Sequence, residues 1–198
     1  MPLRTRLAGP GEEAALGLLG CKLAHGAVVL RITEVEAYGG PEDSASHARH
    51  GRTPRNAPMW GPPGRAYLYL CYGVHWMLNV VTGPEESAAA VLIRGAEVLA
   101  GGEVVCARRG VPRLTPEVCA GPGKVAQALG LDGSHGGVDL LGRRGLRLRL
   151  GVPPVAVVRG PRVGIDFAGP EDRLRAWRFA ESGHPAVSRP HPKEVAPW

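Results

Sequence analysis

The sequence predicts an α+β fold, a single loop-rich domain whose mostly antiparallel, curved sheet is flanked by helices. Three observations carry this expectation. Helix-like segments lie toward the ends of the chain, while strand-length apolar runs in the middle follow one another without a helix between each pair; that segregation marks α+β rather than βαβ architecture. Glycine (29) and proline (19) are plentiful and aperiodic, so connections should be long and irregular. A chain of 198 residues that is 44% hydrophobic has the size and apolar content of one folded domain. We take residues 1–198 as that domain, with its core over 3–190 and a proline-rich tail over 185–198.

Each element has a local reason. In PGEEAALGLLG (10–20), proline and two acids open a helix and Gly20 closes it. KLAHGAVVLRITEVEAY reads as two strands around a turn near His25–Gly26, with Val28, Leu30, Ile32 and Glu34 alternating with Val29, Arg31, Thr33 and Val35. From Gly39 to Arg65 no period survives, and a loop that long in a compact domain is usually functional or disordered. AYLYLCYGVHWMLNVVTG (66–83) and AAAVLIRGAEVL (88–99) have strand propensity. TPEVCAGPGKVAQALGL (115–131) suggests a short helix, a Gly-Pro-Gly break and a second helix starting near Lys124. VDLLGRRGLRLRLG and PVAVVRGPRVGIDFA supply further strands, with a turn at Gly142–Gly145. PEDRLRAWRF (170–179) reads as a helix with an acidic first turn, and the tail SGHPAVSRPHPKEVAPW as a segment that hugs the surface or frays.

Charge and cysteine content bound the function. Of 24 basic residues only Lys22, Lys124 and Lys193 are lysine, and the net charge is +6; such a surface attracts polyanions. Cys21, Cys71, Cys106 and Cys119 form no C-x-x-C pair or zinc spacing, which fits buried free thiols in a reducing compartment. No apolar run approaches the ~18 residues of a membrane span, and the N-terminus lacks a signal-peptide core. A cytoplasmic protein with no membrane partner is expected.

Several residues could carry chemistry. Glu36 ends an apolar strand and could act as a general base on water. Arg94 stands alone in AVLIRGAEV, and a charge inside a strand core must be paired; Glu36 is the candidate partner if their strands are neighbours. The four tyrosines, Tyr38, Tyr67, Tyr69 and Tyr72, all fall between 38 and 72. Tyr67 and Tyr69 share a strand face, and Tyr72, before a glycine, could project outward to stack on or between bases. Asn79 in WMLNVV needs a hydrogen-bonding reason to be buried. GPGK (121–124) offers amides and a lysine for a phosphate, or simply a helix break. Asp43 and Ser44 suit a turn cap; Asp43 with His47-x-x-His50 could alternatively be imagined as the metal site of a hydrolase, though without a helix to align it.

EVEAYGGPEDSASHARHGRTPRN, GRAYLYLCYGVHWMLNVVTG, VLIRGAEV, AGPGKVAQALG and RVGIDFA resemble, in order, blocks of the alkyladenine (3-methyladenine) DNA glycosylase family, over about positions 3 to 190. The resemblance implies a monofunctional repair enzyme acting on double-stranded DNA. It would flip damaged purines (3-methyladenine, 7-methylguanine, with hypoxanthine or ethenoadenine as further candidates) out of the duplex and hydrolyse the N-glycosidic bond. Glu36 matches the family's general base, Arg94 the arginine that helps hold the attacking water, and the main-chain carbonyl of Val163 its third partner. Tyr38 matches the ring under the flipped base; His47 and Tyr69 match the pair over its other face, with the His47 amide on the base edge. Asn79 matches the residue that crowds the 2-amino group of guanine, and Tyr72 the side chain wedged into the duplex. Arg55, Asn56 and Lys124 match backbone support. The resemblance implies no metal and no cofactor, and a monomer is expected because one enzyme must fit around one flipped nucleotide. No lysine stands in these blocks as a Schiff-base nucleophile, so hydrolysis without strand cleavage is expected, favouring cationic lesions because no second acid is evident to protonate a neutral one. Departures from the family pattern fall at Val74-His75-Trp76, at Asp166 and at Ala180. A binding module that keeps the fold without catalysis is the alternative.

Overall fold

A computed structural model describes residues 2–192. The chain runs α1 (Leu3–Leu7), α2 (Gly11–Leu18), β1 (Lys22–His25), β2 (Val28–Tyr38), β3 (Ala66–Cys71), β4 (His75–Thr82), β5 (Ala89–Ala100), α3 (Gly102–Arg109), α4 (Pro122–Leu129), β6 (Arg147–Arg149), β7 (Val157–Gly160), α5 (Pro170–Leu174) and β8 (Arg178–Glu181). All strand pairings are antiparallel. The sheet order is β3-β4-β5-β2-β1-β6, and one edge of β2 is shared between β1, at residues 28–31, and β8, at residues 34–36. This is the expected α+β fold.

The sheet has two differently used faces. One carries Leu30, Ile32, Val35, Ala37, Leu78, Val80, Val91 and Ile93, which pack with side chains of α2, α3 and α4 into the main core. The other face, between β2 and β4, bears polar and aromatic side chains. The phase of β2 changes along its length: Leu30 and Ile32 face the core, and so do Val35 and Ala37. A pair of bulges makes the change. The β2–β5 register skips Thr33 on β2 and Arg94 on β5. A bulge inserts one residue, so every later side chain swaps faces. Simple alternation along β2 puts Glu34 with Leu30 and Ile32; the bulge instead turns Glu34, Glu36 and Tyr38 away from the main core.

The 39–65 loop is built rather than loose. Two single turns of 3₁₀ helix, His47–His50 and Ala57–Trp60, punctuate it, and Ala48, Met59 and Trp60 are buried against Tyr67, Val81 and Ala90 on the second face. Asp43, itself buried, anchors its start: it accepts from the Gly39 and Ala45 amides and from both terminal nitrogens of Arg162 (2.6 and 2.9 Å).

Some expectations are corrected. RVGIDFA forms no strand after Gly160; it is a turn-rich loop packed against Tyr38 through Ile165 and Ala168. The helix over 170–179 stops at Leu174, and Arg178–Glu181 is a strand because Arg178 and Phe179 pair with β2. The second helix of 115–131 starts at Pro122, two residues before Lys124. Helices α1 and α3 lie where the sequence gives little period; α3 is bounded by left-handed glycines, Gly101 and Gly110. The tail is neither frayed nor superficial through Ser188, since Ala186, Val187 and Ser188 are buried; the rest of the 185–198 segment beyond Pro192 lies outside the described residues. Among the described residues no helix is long and apolar enough to cross a membrane.

Candidate active site

A cleft of about 410 Å3 opens on the second face of the sheet. Tyr38 from β2, Tyr69 from β3, Met77 and Asn79 from β4, and Leu92 and Arg94 from β5 line it, and the loops add His47, Arg55, Val163 and Phe167. Alternate positions of four neighbouring strands thus converge on one space.

Glu36 is fully buried immediately behind this wall. Its Oε1 accepts the Val163 N–H (2.8 Å); its Oε2 accepts the Tyr38 hydroxyl (2.9 Å) and Arg94 Nη1 (3.3 Å). All three donors line the cleft. An ionised carboxylate is costly to bury unless paired and hydrogen-bonded, and these donors meet that need. The strands of Glu36 and Arg94 are indeed neighbours, as their pairing requires. Arg94 is also bound to Glu34 (3.1 Å). Burial works against the Arg94 charge, but Glu36 and Glu34 outweigh it and raise its pKa. Val163 meets Glu36 through its amide. Burial, then the charge of Glu36, pushes the Tyr38 hydroxyl well above the usual tyrosine value, so it keeps its proton and donates. Arg162 stacks on the Tyr38 ring (4.8 Å).

His47 and Tyr69, which also line the cleft, pack edge to face (4.5 Å between centroids, 81°). Burial and the nearby charges of Arg55 and Arg49 lower the His47 pKa to about 4, leaving the ring neutral at pH 7. Tyr67, whose hydroxyl burial raises to about 12, stays protonated and donates to His47 Nδ1 (2.8 Å). That assigns the remaining ring proton to Nε2. Asn79 is buried and donates to the Tyr67 carbonyl (3.1 Å), which is the hydrogen-bonding reason the sequence left open.

At the mouth, Tyr72 is 93% exposed at the tip of the β3–β4 hairpin. Arg55 is exposed and lies over the Tyr69 ring (5.7 Å). Asn56 is not exposed: its amide nitrogen donates to the carbonyls of His47 and Gly51 (2.8 and 3.0 Å), and its oxygen accepts from Thr53. It braces the His47 turn, and no part of it is turned outward for a phosphate. Lys124 is exposed in the first turn of α4 and lines a neighbouring cleft that shares Arg94.

The profile of the methylpurine-DNA glycosylase family matches residues 5–185. The chain belongs to the methylpurine-DNA glycosylase family. Proteins from Nitrosococcus oceani and Frankia casuarinae, both provisionally named 3-methyladenine DNA glycosylases, are 54% and 49% identical over 89% and 92% of the chain and 87% and 90% of their own lengths. A protein from Arabidopsis thaliana named DNA-3-methyladenine glycosylase is 51% identical over 90% of the chain and 70% of its own. Membership places the chain among the DNA glycosylases, hydrolases of N-glycosyl bonds that serve DNA repair, with DNA as substrate.

The imagined metal constellation in this methylpurine-DNA glycosylase does not assemble. Asp43 is spent on Arg162, His47 Nδ1 on Tyr67, and among the described residues no three His, Cys, Asp or Glu side chains are grouped to hold an ion. Asp166 is exposed and does not line the cleft. Sequence reasoning missed Arg162, Phe167 and Met77. Arg162 carried a signal: it precedes Val163 in RVGI, as a lone charge between apolar neighbours.

Proposed function

We propose that the chain excises alkylated purines from duplex DNA, acting as a monomer on one everted nucleotide, with Glu36 activating the water that replaces the base. The observation that carries this reading is the placement of the Glu36 carboxylate directly behind an aromatic cleft, with Arg94, Tyr38 and the Val163 amide all aimed at it.

A base inside the helix is shielded, and everting it costs a few kcal/mol. Tyr72 on the exposed hairpin tip fills the gap and offsets part of that cost. The cleft receives the base between Tyr38 on one side and His47 with Tyr69 on the other, and Asn79 limits room at the purine 2-position. An alkylated, cationic purine is drawn to electron-rich rings and is already a good leaving group. As its glycosidic bond breaks, the sugar gains oxocarbenium character, which an adjacent ionised carboxylate stabilises. Glu36 exposes no surface, so water reaches it once one of the groups that cover it moves aside. We assign the water seat to the Tyr38 side of Oε2, vacated when the ring shifts under an entering purine. Arg55 and Lys124 contact the DNA backbone, and Asn56 contributes by holding His47.

The test is release of free base from methylated DNA under single-turnover conditions. Glu36→Gln keeps the shape of the site and removes the base. Loss of a positioned general base typically costs 10²–10⁴-fold, so release should fall by about that factor while DNA affinity is kept. Duplex containing hypoxanthine should react more slowly than methylated duplex, because among the described residues no aspartate, glutamate or lysine lines the cleft to protonate a neutral leaving group. Undiminished release by Glu36→Gln would remove the proposal.

A further inference from the structure

Arg94 touches Glu36 through one nitrogen only; its other two are held elsewhere. Nε donates to Glu34 Oε1 (3.1 Å) and Nη2 to Ser188 Oγ (3.1 Å). Glu34 is itself buried and saturated: Oε1 also accepts Arg178 Nε (2.7 Å) and the Ser188 hydroxyl (2.9 Å), and Oε2 accepts the Ser188 amide (2.6 Å). Arg178 Nη2 in turn donates to the Ser188 carbonyl (2.8 Å). Ser188 therefore bonds through its amide, its hydroxyl and its carbonyl to three buried charged side chains, Glu34, Arg94 and Arg178, and through Arg94 this group joins Glu36.

Ser188 does not belong to the sheet. It comes from the segment after β8, where Ala186, Val187 and Ser188 cross β5 beside the Arg94 bulge. Thr33, the residue skipped on β2, donates to the Ala186 carbonyl (3.0 Å). A Cβ on Gly95 would stand 2.3 Å from that same carbonyl oxygen. Gly95 is thus the opening through which the segment approaches the backbone of β5.

We infer that the buried segment 186–188 is a strap that carries one positioning group for the catalytic centre, Ser188, which with Glu34 and Arg178 fixes the plane of Arg94 so that Nη1 points at Glu36. This rests on the reading of Glu36 and Arg94 given above. The need is physical. A guanidinium in a bulge is free to turn about its side-chain bonds, and a misplacement of about 1 Å can cost on the order of 100-fold in rate. The Glu34 hydrogen bond alone leaves rotation about the Nε direction; the Ser188 hydroxyl on Nη2 removes it. None of the three positioning groups lines the aromatic cleft, so they act on rate through Arg94 and not on binding of the base.

The experiment measures single-turnover base release and DNA affinity for the full chain, for Ser188→Ala, Ser188→Thr and Val187→Ala. Val187 is buried on the same strap but contributes no hydrogen bond to the network. Ser188→Ala should lower the rate about tenfold at unchanged DNA affinity, and Ser188→Thr, which keeps the hydroxyl, should restore most of it. Val187→Ala should lower the melting temperature with little change in rate at temperatures well below it. Gly95→Ala should reproduce the rate loss by lifting the strap. If the wild type releases base and Ser188→Ala does so at the same rate, the strap has no positioning role. Equal rate loss in Ser188→Ala and Val187→Ala for equal loss of melting temperature would likewise reduce it to structural support. Absence of release from the wild type would instead strike at the reading of Glu36 itself.

Discussion

Tyr72 occupies a position where most side chains are strained. Its φ is 50° and that of Gly73 is 71°, and the Val74 amide closes the turn on the Cys71 carbonyl (3.1 Å). Two successive positive φ values define the hairpin turn that asparagine-glycine makes best. A bulky residue there costs about 1–2 kcal/mol, whereas asparagine visits the region readily. A tyrosine held in that conformation with its ring 93% exposed contributes nothing to the fold; such strain persists where function requires it. Tyr72→Asn should therefore stabilise the chain by about 1 kcal/mol in denaturant titrations while weakening both affinity for damaged duplex and base release. A variant that is less stable, or that excises as well as the wild type, would contradict the wedge role. The tyrosine-glycine pair was visible in the sequence; the left-handed conformation that makes the substitution informative was not.

At the level of elements, the His47 turn couples the site to pH. Its imidazole is held near 4 against an ordinary value of 6.5, first by burial and then by Arg55 and Arg49. Between those values the unfolded chain takes up a proton that the folded chain refuses, so stability falls as pH drops from 6.5 toward 4 and is level above about 7. His47→Gln removes that group, and unfolding free energies measured at pH 7.5 and pH 5 should differ less in the variant than in the wild type. Equal differences would mean that His47 is protonated as readily in the fold as outside it. The strands were largely legible because apolar runs bounded by glycine carry their own period, and Glu36 and Arg94 were legible because isolated charges in such runs demand partners. The bulges at Thr33 and Arg94 were not, since a bulge depends on the partner strand. They alone decide that Glu34 joins the site side rather than the core, and so hid the Glu34–Arg178–Ser188 group. The helix expected over 170–179 failed for a related reason: its second half is recruited by an open edge of β2, a tertiary demand that outweighs local propensity.

Across the whole molecule, charge is divided between interior and surface in a way that composition alone conceals. The buried ionisable acids and arginines among the described residues are Arg94, Arg162 and Arg178 against Glu34, Glu36, Asp43 and Asp172. These nearly cancel, so the net +6 of the chain resides on the surface. Exposed cations at the cleft and its neighbour include Arg55 on the 39–65 loop, which lines the cleft together with Tyr72, and Lys124 on α4, which lines the adjoining cleft. On the function proposed above, a duplex whose damaged nucleotide enters the cleft runs past them. Its phosphates then release counterions, and affinity falls with salt at a log–log slope of about −0.9 per neutralised phosphate. Binding to undamaged duplex should accordingly weaken by about tenfold or more between 50 and 200 mM salt. Arg55→Ala should reduce the slope by about one, because its guanidinium meets solvent above Tyr69 and has only a long bond to the Leu70 carbonyl (3.4 Å) to lose. Asn56→Ala should leave the slope unchanged while lowering stability, since its amide serves His47 and Gly51 and not the solvent. Fluorescence anisotropy across a salt series separates the two, and a slope that Arg55→Ala leaves untouched would place the DNA path on another side of the molecule.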